Sequence, residues 1–182
     1  MFGKIIGEAK GTFNIITIVE LVVSLIILLG SLVFISSNLK HLALGIIVGI
    51  LLILNGTSKI YAYKNRNKID LYNNNLIYGL IIIALGITSF VLSKYITIII
   101  SLFLIINAVN NINYSILLKK FNENSCYFTG VVGLFLIIIG IVSYFTNQDS
   151  VNVVSGICLL GYSIMNLINT ILLRKRSQYF IA

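Results

Sequence analysis

The sequence predicts an all-α polytopic membrane protein, with six transmembrane helices arranged as three tandem, same-facing helical hairpins and both termini in the cytoplasm. Three observations predict it: six continuous apolar runs of membrane-crossing length, basic residues concentrated on alternate connections, and similarity between segments two spans apart. Of the 182 residues, 58% are hydrophobic and 10% charged, and the mean hydropathy is +1.03, more apolar surface than a water-soluble domain can hide. Barrel strands do not fit, because they alternate apolar and polar residues over about ten positions, whereas these runs stay apolar for about 17–24.

The first run, Phe13–Ser36, exceeds the apolar region of a secretion signal and is followed by no small-x-small cleavage site, so it is read as a retained span. It carries Glu20 about seven residues in, roughly 10 Å below the cytoplasmic boundary, where an unpaired carboxylate costs several kcal/mol. Thr17, Ser24 and Ser31 share its face within about 60°, so this small, polar face is expected to point inward. The second run, Leu42–Tyr63, holds Gly45 and Gly49 in a G-x-x-x-G, then Asn55, Gly56 and Lys59. Lys59 has two readings: an intramembrane partner for Glu20 at similar depth on the next antiparallel helix, or a side chain that snorkels to the interface.

The third run, Leu76–Leu92, and the fifth, Tyr127–Phe145, each repeat a glycine at heptad spacing, Gly79 with Gly86 and Gly133 with Gly140. Lipid gives helices no hydrophobic reason to associate, so close approach over small residues has to do so. Packing within the chain and a face for a homo-oligomer are both open readings of these glycines. The fourth run, Tyr95–Leu118, carries Asn107, Asn110, Asn111 and Tyr114 as one stripe. The sixth, Val151–Leu173, carries Tyr162, Asn166, Asn169 and Thr170 as another, with Ser155 deeper on the same side. With Glu20 and Asn55 these amides either line a polar pocket open to the cytoplasm or tie the helices together by hydrogen bonds.

The net charge of +8 resolves by position. Lys4, Lys10, Lys64, Arg66, Lys68, Lys119, Lys120, Arg174, Lys175 and Arg176 fall on one side of the membrane, Lys40 and Lys94 on the other, which places both termini in the cytoplasm. The expected partners of this basic excess are the anionic headgroups of membrane lipids, not nucleic acid. Two cysteines, Cys126 and Cys158, define no disulfide framework.

The chain reads as one transmembrane domain, 1–182, with repeat units at about 11–66, 67–120 and 121–176. Leu25-Ile26-Ile27-Leu28-Leu29-Gly30-Ser31-Leu32-Val33-Phe34 matches the segment from Ile81 through Gly86 to Phe90, and the segment from Phe135 through Gly140 to Tyr144. Leu52-Ile53-Leu54-Asn55-Gly56 matches Leu104-Ile105-Ile106-Asn107-Ala108. On the Gly30 alignment the counterparts of Glu20 are Leu76 and Gly130, so Glu20 is expected to stand outside the repeat. Units with an even number of spans insert in the same sense, unlike the inverted halves of many carriers.

These hairpins, with the form L-I-I-x-x-G-I-x-x-F, a short outer loop, then G-I-I-x-G-I-L-L-I-x-N-G, resemble the HdeD-like family of small bacterial and archaeal membrane proteins, named for an acid-resistance protein. The resemblance covers nearly the whole chain. It implies a six-span, stress-associated membrane protein without an assigned chemistry, and therefore no catalytic residue.

An enzyme is not expected. The sole histidine, His41, lies in the first outer loop, so no H-E-x-x-H pair, His-based triad or His-Cys metal cluster can be assembled, and no phosphate-cradling loop occurs. Asp70, Glu123 and Asp149 fall in three separate loops. No cofactor or metal is expected. Two functions stay open: a non-enzymatic membrane protein of the HdeD-like kind, and a small permease or channel binding an ion, proton or polar solute near Glu20.

Overall fold

A computed structural model describes residues 2–36, 41–65, 72–120, 125–145 and 151–175. Lys40, Arg66, Lys68, Asp70, Glu123, Asp149 and Arg176 lie outside them, as do the side chains of Lys4, Lys10, Lys120, Arg174 and Lys175. Six α-helices form: α1 Phe2–Ser36, α2 His41–Lys64, α3 Asn75–Val91, α4 Ile96–Lys120, α5 Ser125–Tyr144 and α6 Val151–Lys175. Five are long and apolar enough to cross a bilayer, and α3 is the shorter sixth at 17 residues. Helix α1 starts well before the apolar run, so the expected N-terminal tail is helical from Phe2 in a chain without proline to interrupt it. Between α3 and α4 the connection is a single 3-10 turn, Ser93–Tyr95, closed by the Tyr95 N–H donating to the Leu92 carbonyl at 2.9 Å.

The sequence repeat is a hairpin, but the closest packing runs across hairpin boundaries. Helix α2 lies backbone to backbone on α3: a methyl group at Gly56 would sit 2.7 Å from the Gly79 carbonyl oxygen, and one at Gly86 would sit 2.9 Å from that of Gly49. Helix α4 meets α5 the same way, with Gly133 facing the Ala108 carbonyl and Gly140 that of Ser101. Helix α6 returns to α1, where Gly156 faces the Ser31 carbonyl. The six helices thus form a closed ring of three tight seams alternating with three looser ones. Small residues are required at the tight seams because a Cβ there meets backbone, which cannot move aside. Serines add hydrogen bonds across two of them, Ser89 Oγ donating to the Gly45 carbonyl at 2.9 Å and Ser101 Oγ to that of Gly140 at 2.6 Å.

This pairing corrects the register of α1. Ser31, not Gly30, takes the place of Gly86 and Gly140, and Ser24 takes that of Gly79 and Gly133. Burial agrees, since Ile27, Ile82 and Leu136 become equivalent and all are buried. Gly30 instead faces the side chain of Leu51 on the looser α1–α2 seam. Matching by the conspicuous glycine is one residue out because it aligns identity, whereas packing aligns faces.

The even-numbered helices line the middle of the ring. Leu52, Leu104 and Leu159 are equivalent and buried, as are Leu51, Phe103 and Cys158. They belong to a large apolar cluster that also takes in Leu44, Val48, Ile96 and Ile100. A second, smaller cluster joins Ile16, Ala62, Tyr72, Tyr114, Leu118 and Cys126 at the other end of the even helices. Cys126 is buried within it as a free thiol.

Candidate functional site

Between the two apolar clusters, along α2, α4 and α6, lies a layer of polar side chains. It exists because the repeat puts a polar residue at equivalent positions of each even helix, Asn55, Asn107 and Tyr162, one position before the small residues Gly56, Ala108 and Ser163. These three side chains meet: the Asn55 amide donates to the Tyr162 hydroxyl at 2.9 Å, and that hydroxyl donates to Asn107 Oδ1 at 3.2 Å. The Tyr162 ring is held edge-on to Phe103, with centroids 4.8 Å apart. All three groups are buried, so each bond replaces one that water or another helix would have to supply. We expect Tyr162→Phe, which deletes both bonds and keeps the ring, to cost about 1 kcal/mol at the average strength of such interhelical contacts, measured by thermal denaturation in detergent.

One turn further along the even helices, the next set of equivalents is Lys59, Asn111 and Asn166. Asn111 Nδ2 donates back to the Asn107 carbonyl at 3.1 Å, and its Oδ1 accepts from Asn169 at 3.1 Å. Asn166 Nδ2 donates to Ser24 Oγ on α1 at 2.6 Å, across the seam that closes the ring. Lys59 is buried, so the snorkelling reading is replaced by an inward one.

The corrected register changes the meaning of Glu20. Its equivalents are Asn75 and Thr129, both fully buried and polar, not Leu76 and Gly130. Asn75 Oδ1 accepts from the Tyr114 hydroxyl, and Thr129 donates to Asn169 Oδ1 at 2.8 Å. Tyr114 and Asn169 are themselves equivalent, so two hairpins make the same contact between odd and even helix. In the first hairpin the matching residue on α2 is Ala62, which offers no polar group. The nearest cationic residue of α2 in this register is Lys59, buried one turn earlier on the helix. Glu20 is therefore a charged version of a position that is polar in every repeat.

The structure brings Glu20, Lys59, Asn55, Asn107, Asn111, Asn166 and Asn169 into one layer. It leaves Gly30 on a looser seam and places the glycines at 45, 49, 56, 79, 86, 133 and 140 on the tight ones. Sequence reasoning missed Asn75, Thr129 and Tyr72. Asn75 is the first residue of α3 and reads as loop, and Thr129 reads as an isolated hydroxyl; the spacing of 55 and then 54 residues from Glu20 is the signal that finds both. Beyond the layer, from Leu44 to Leu52 and from Ile96 to Leu104, the axis is mostly aliphatic and aromatic, while on α6 the buried Ser155 stands at the position of Val48 and Ile100.

A family model described as a short repeat of unknown function (DUF308) matches the chain twice, over residues 22–91 and 88–145. No curated protein and no solved structure matches it.

Proposed function

The chain belongs to this family of short repeats of unknown function, and from that premise we propose a non-enzymatic protein of the HdeD-like, stress-associated kind, resident in the cell membrane with both termini cytoplasmic. It acts through its packed interior and its lipid-facing surface, and its partners are lipids with anionic headgroups. The observation that carries this reading is the closure of the polar layer on both sides. Toward the outer face Leu52, Leu104, Leu159, Ile100 and Phe103 fill the axis, and toward the cytoplasmic face Ile16, Tyr72, Tyr114 and Leu118 do. A pathway for ions or solutes needs polar groups along its whole length, whereas beyond this layer the axis holds apolar side chains broken by the Ser155 hydroxyl. The orientation is supported by the distribution of Lys and Arg residues, with Lys64 and Lys119 at one end of the parallel helices α2 and α4 and Lys94 at the other.

Purified protein in liposomes is expected to pass protons and monovalent cations no faster than empty liposomes do, and Glu20→Gln is expected to leave that background unchanged. A flux above background that Glu20→Gln abolishes would replace this reading with that of a small permease.

A further inference from the structure

The three looser seams of the ring are not alike. Between α1 and α2 an open apolar groove of about 280 Å³ runs along the membrane-facing surface, lined by Val19, Val23, Leu54, Thr57, Ser58 and Tyr61. The reason is the size of two residues on α2. Thr57 and Ser58 stand where α4 has Val109 and Asn110, and where α6 has Ile164 and Met165. On α1, Val19 stands where α5 has the larger Phe128. The third hairpin carries larger side chains, Phe128 and Ile164, at the positions of Val19 and Thr57.

The groove also has a polar end. Leu54, Thr57, Tyr61 and Lys64 follow one another at helical spacings of three, four and three residues, so they form one stripe along α2. Tyr61 and Lys64 are exposed, and Lys64 is in the last turn of the helix. A phenol and an ammonium at the end of an apolar furrow match an acyl chain joined to an anionic headgroup: tyrosine sits at the interface with its ring in hydrocarbon, and lysine provides the charge.

We propose that the α1–α2 groove is a binding site for one anionic phospholipid, its acyl chain along Val19, Val23, Leu54 and Thr57 and its phosphate on Lys64 and Tyr61. This deepens the lipid partnership proposed above and rests on it, but it is separable from it. General attraction between many cations and a charged membrane holds several lipids loosely and ignores the shape of this seam; the site holds one and requires the groove.

The test is native mass spectrometry of the detergent-purified protein titrated with phosphatidylglycerol or phosphatidylcholine. One phosphatidylglycerol per chain is expected to persist at collision energies that strip phosphatidylcholine, and inorganic phosphate in excess is expected not to displace it. Val19→Phe with Thr57→Ile borrows the residues of the other repeats to fill the groove, so the fold should tolerate it, with an unchanged or raised melting temperature as the check. That variant is expected to lose the retained lipid, and Lys64→Gln to weaken it roughly fivefold. Should the filled variant fail to fold, Lys64→Gln, on an exposed residue, decides alone. Retention undiminished by filling the groove would overturn the site while leaving the general attraction to anionic membranes standing. Equal retention of the two lipids, or of neither, would overturn the headgroup assignment.

Discussion

Lys59→Met is expected to destabilise the protein by about 3–5 kcal/mol, because it removes a cation buried on α2 at the depth of Glu20 and leaves that carboxylate inside the bilayer without compensation. Methionine keeps the length and the apolar stem of lysine, so little of the loss is packing. Glu20→Gln in the same chain is expected to restore most of it, since a neutral amide at this position reproduces what Asn75 and Thr129 are in the other hairpins. The measurement is a double-mutant cycle on unfolding free energies in detergent, and the two changes should be strongly non-additive. Additive effects would mean that the two residues do not form a pair.

A second large effect is expected at the tight seams, and its sign distinguishes one glycine from another. At Gly79 an added methyl meets the Gly56 carbonyl oxygen at 2.7 Å and the Ile60 backbone nitrogen at 3.2 Å, so Gly79→Ala must push α2 and α3 apart. The expected cost is about 1–3 kcal/mol, the usual range for overpacking, and it comes despite the better helix propensity of alanine. Gly161→Ala, whose methyl meets only the tip of Ile139 at 3.4 Å, is expected to be neutral or to stabilise by up to about 1 kcal/mol. Gly30→Ala should fall between them, because the atom in its way belongs to the movable Leu51 side chain. Melting temperatures of the three variants, in one detergent, check the order.

Much of this architecture is legible in the sequence because a bilayer imposes so few solutions. A run such as Leu42–Tyr63 can only be a buried helix or a span, and the recurrence of Asn55-Gly56 as Asn107-Ala108 places the even helices in register. Depth alone marks Lys59 as a candidate partner for Glu20. The partners of each helix are not legible. Glycine at 79 and 86 announces that some backbone comes close, but nothing in α3 says whether that backbone belongs to α2 or α4, since both are its neighbours in the chain. The ring closure of α6 on α1 is further from view, because Ser24 and Ser31 do for α1 what glycine does elsewhere and carry no G-x-x-x-G to mark them. The same substitution of serine for glycine is what hides the polar position shared by Glu20, Asn75 and Thr129. The apolar groove escapes for a simpler reason: Thr57 and Ser58 stand out only against the larger residues at the equivalent positions of the other two hairpins.

The seam between the first helix and the last also bears on how the molecule is made. During synthesis α2 finds α3, and α4 finds α5, as soon as each pair has entered the membrane, but α1 must wait until the ribosome has delivered α6. Until then the face carrying Ser24 and Ser31 has lipid where its closest neighbour belongs, and Asn166 has yet to reach Ser24. A nascent chain halted before Val151 therefore displays an α1 edge whose closest packing partner is still missing.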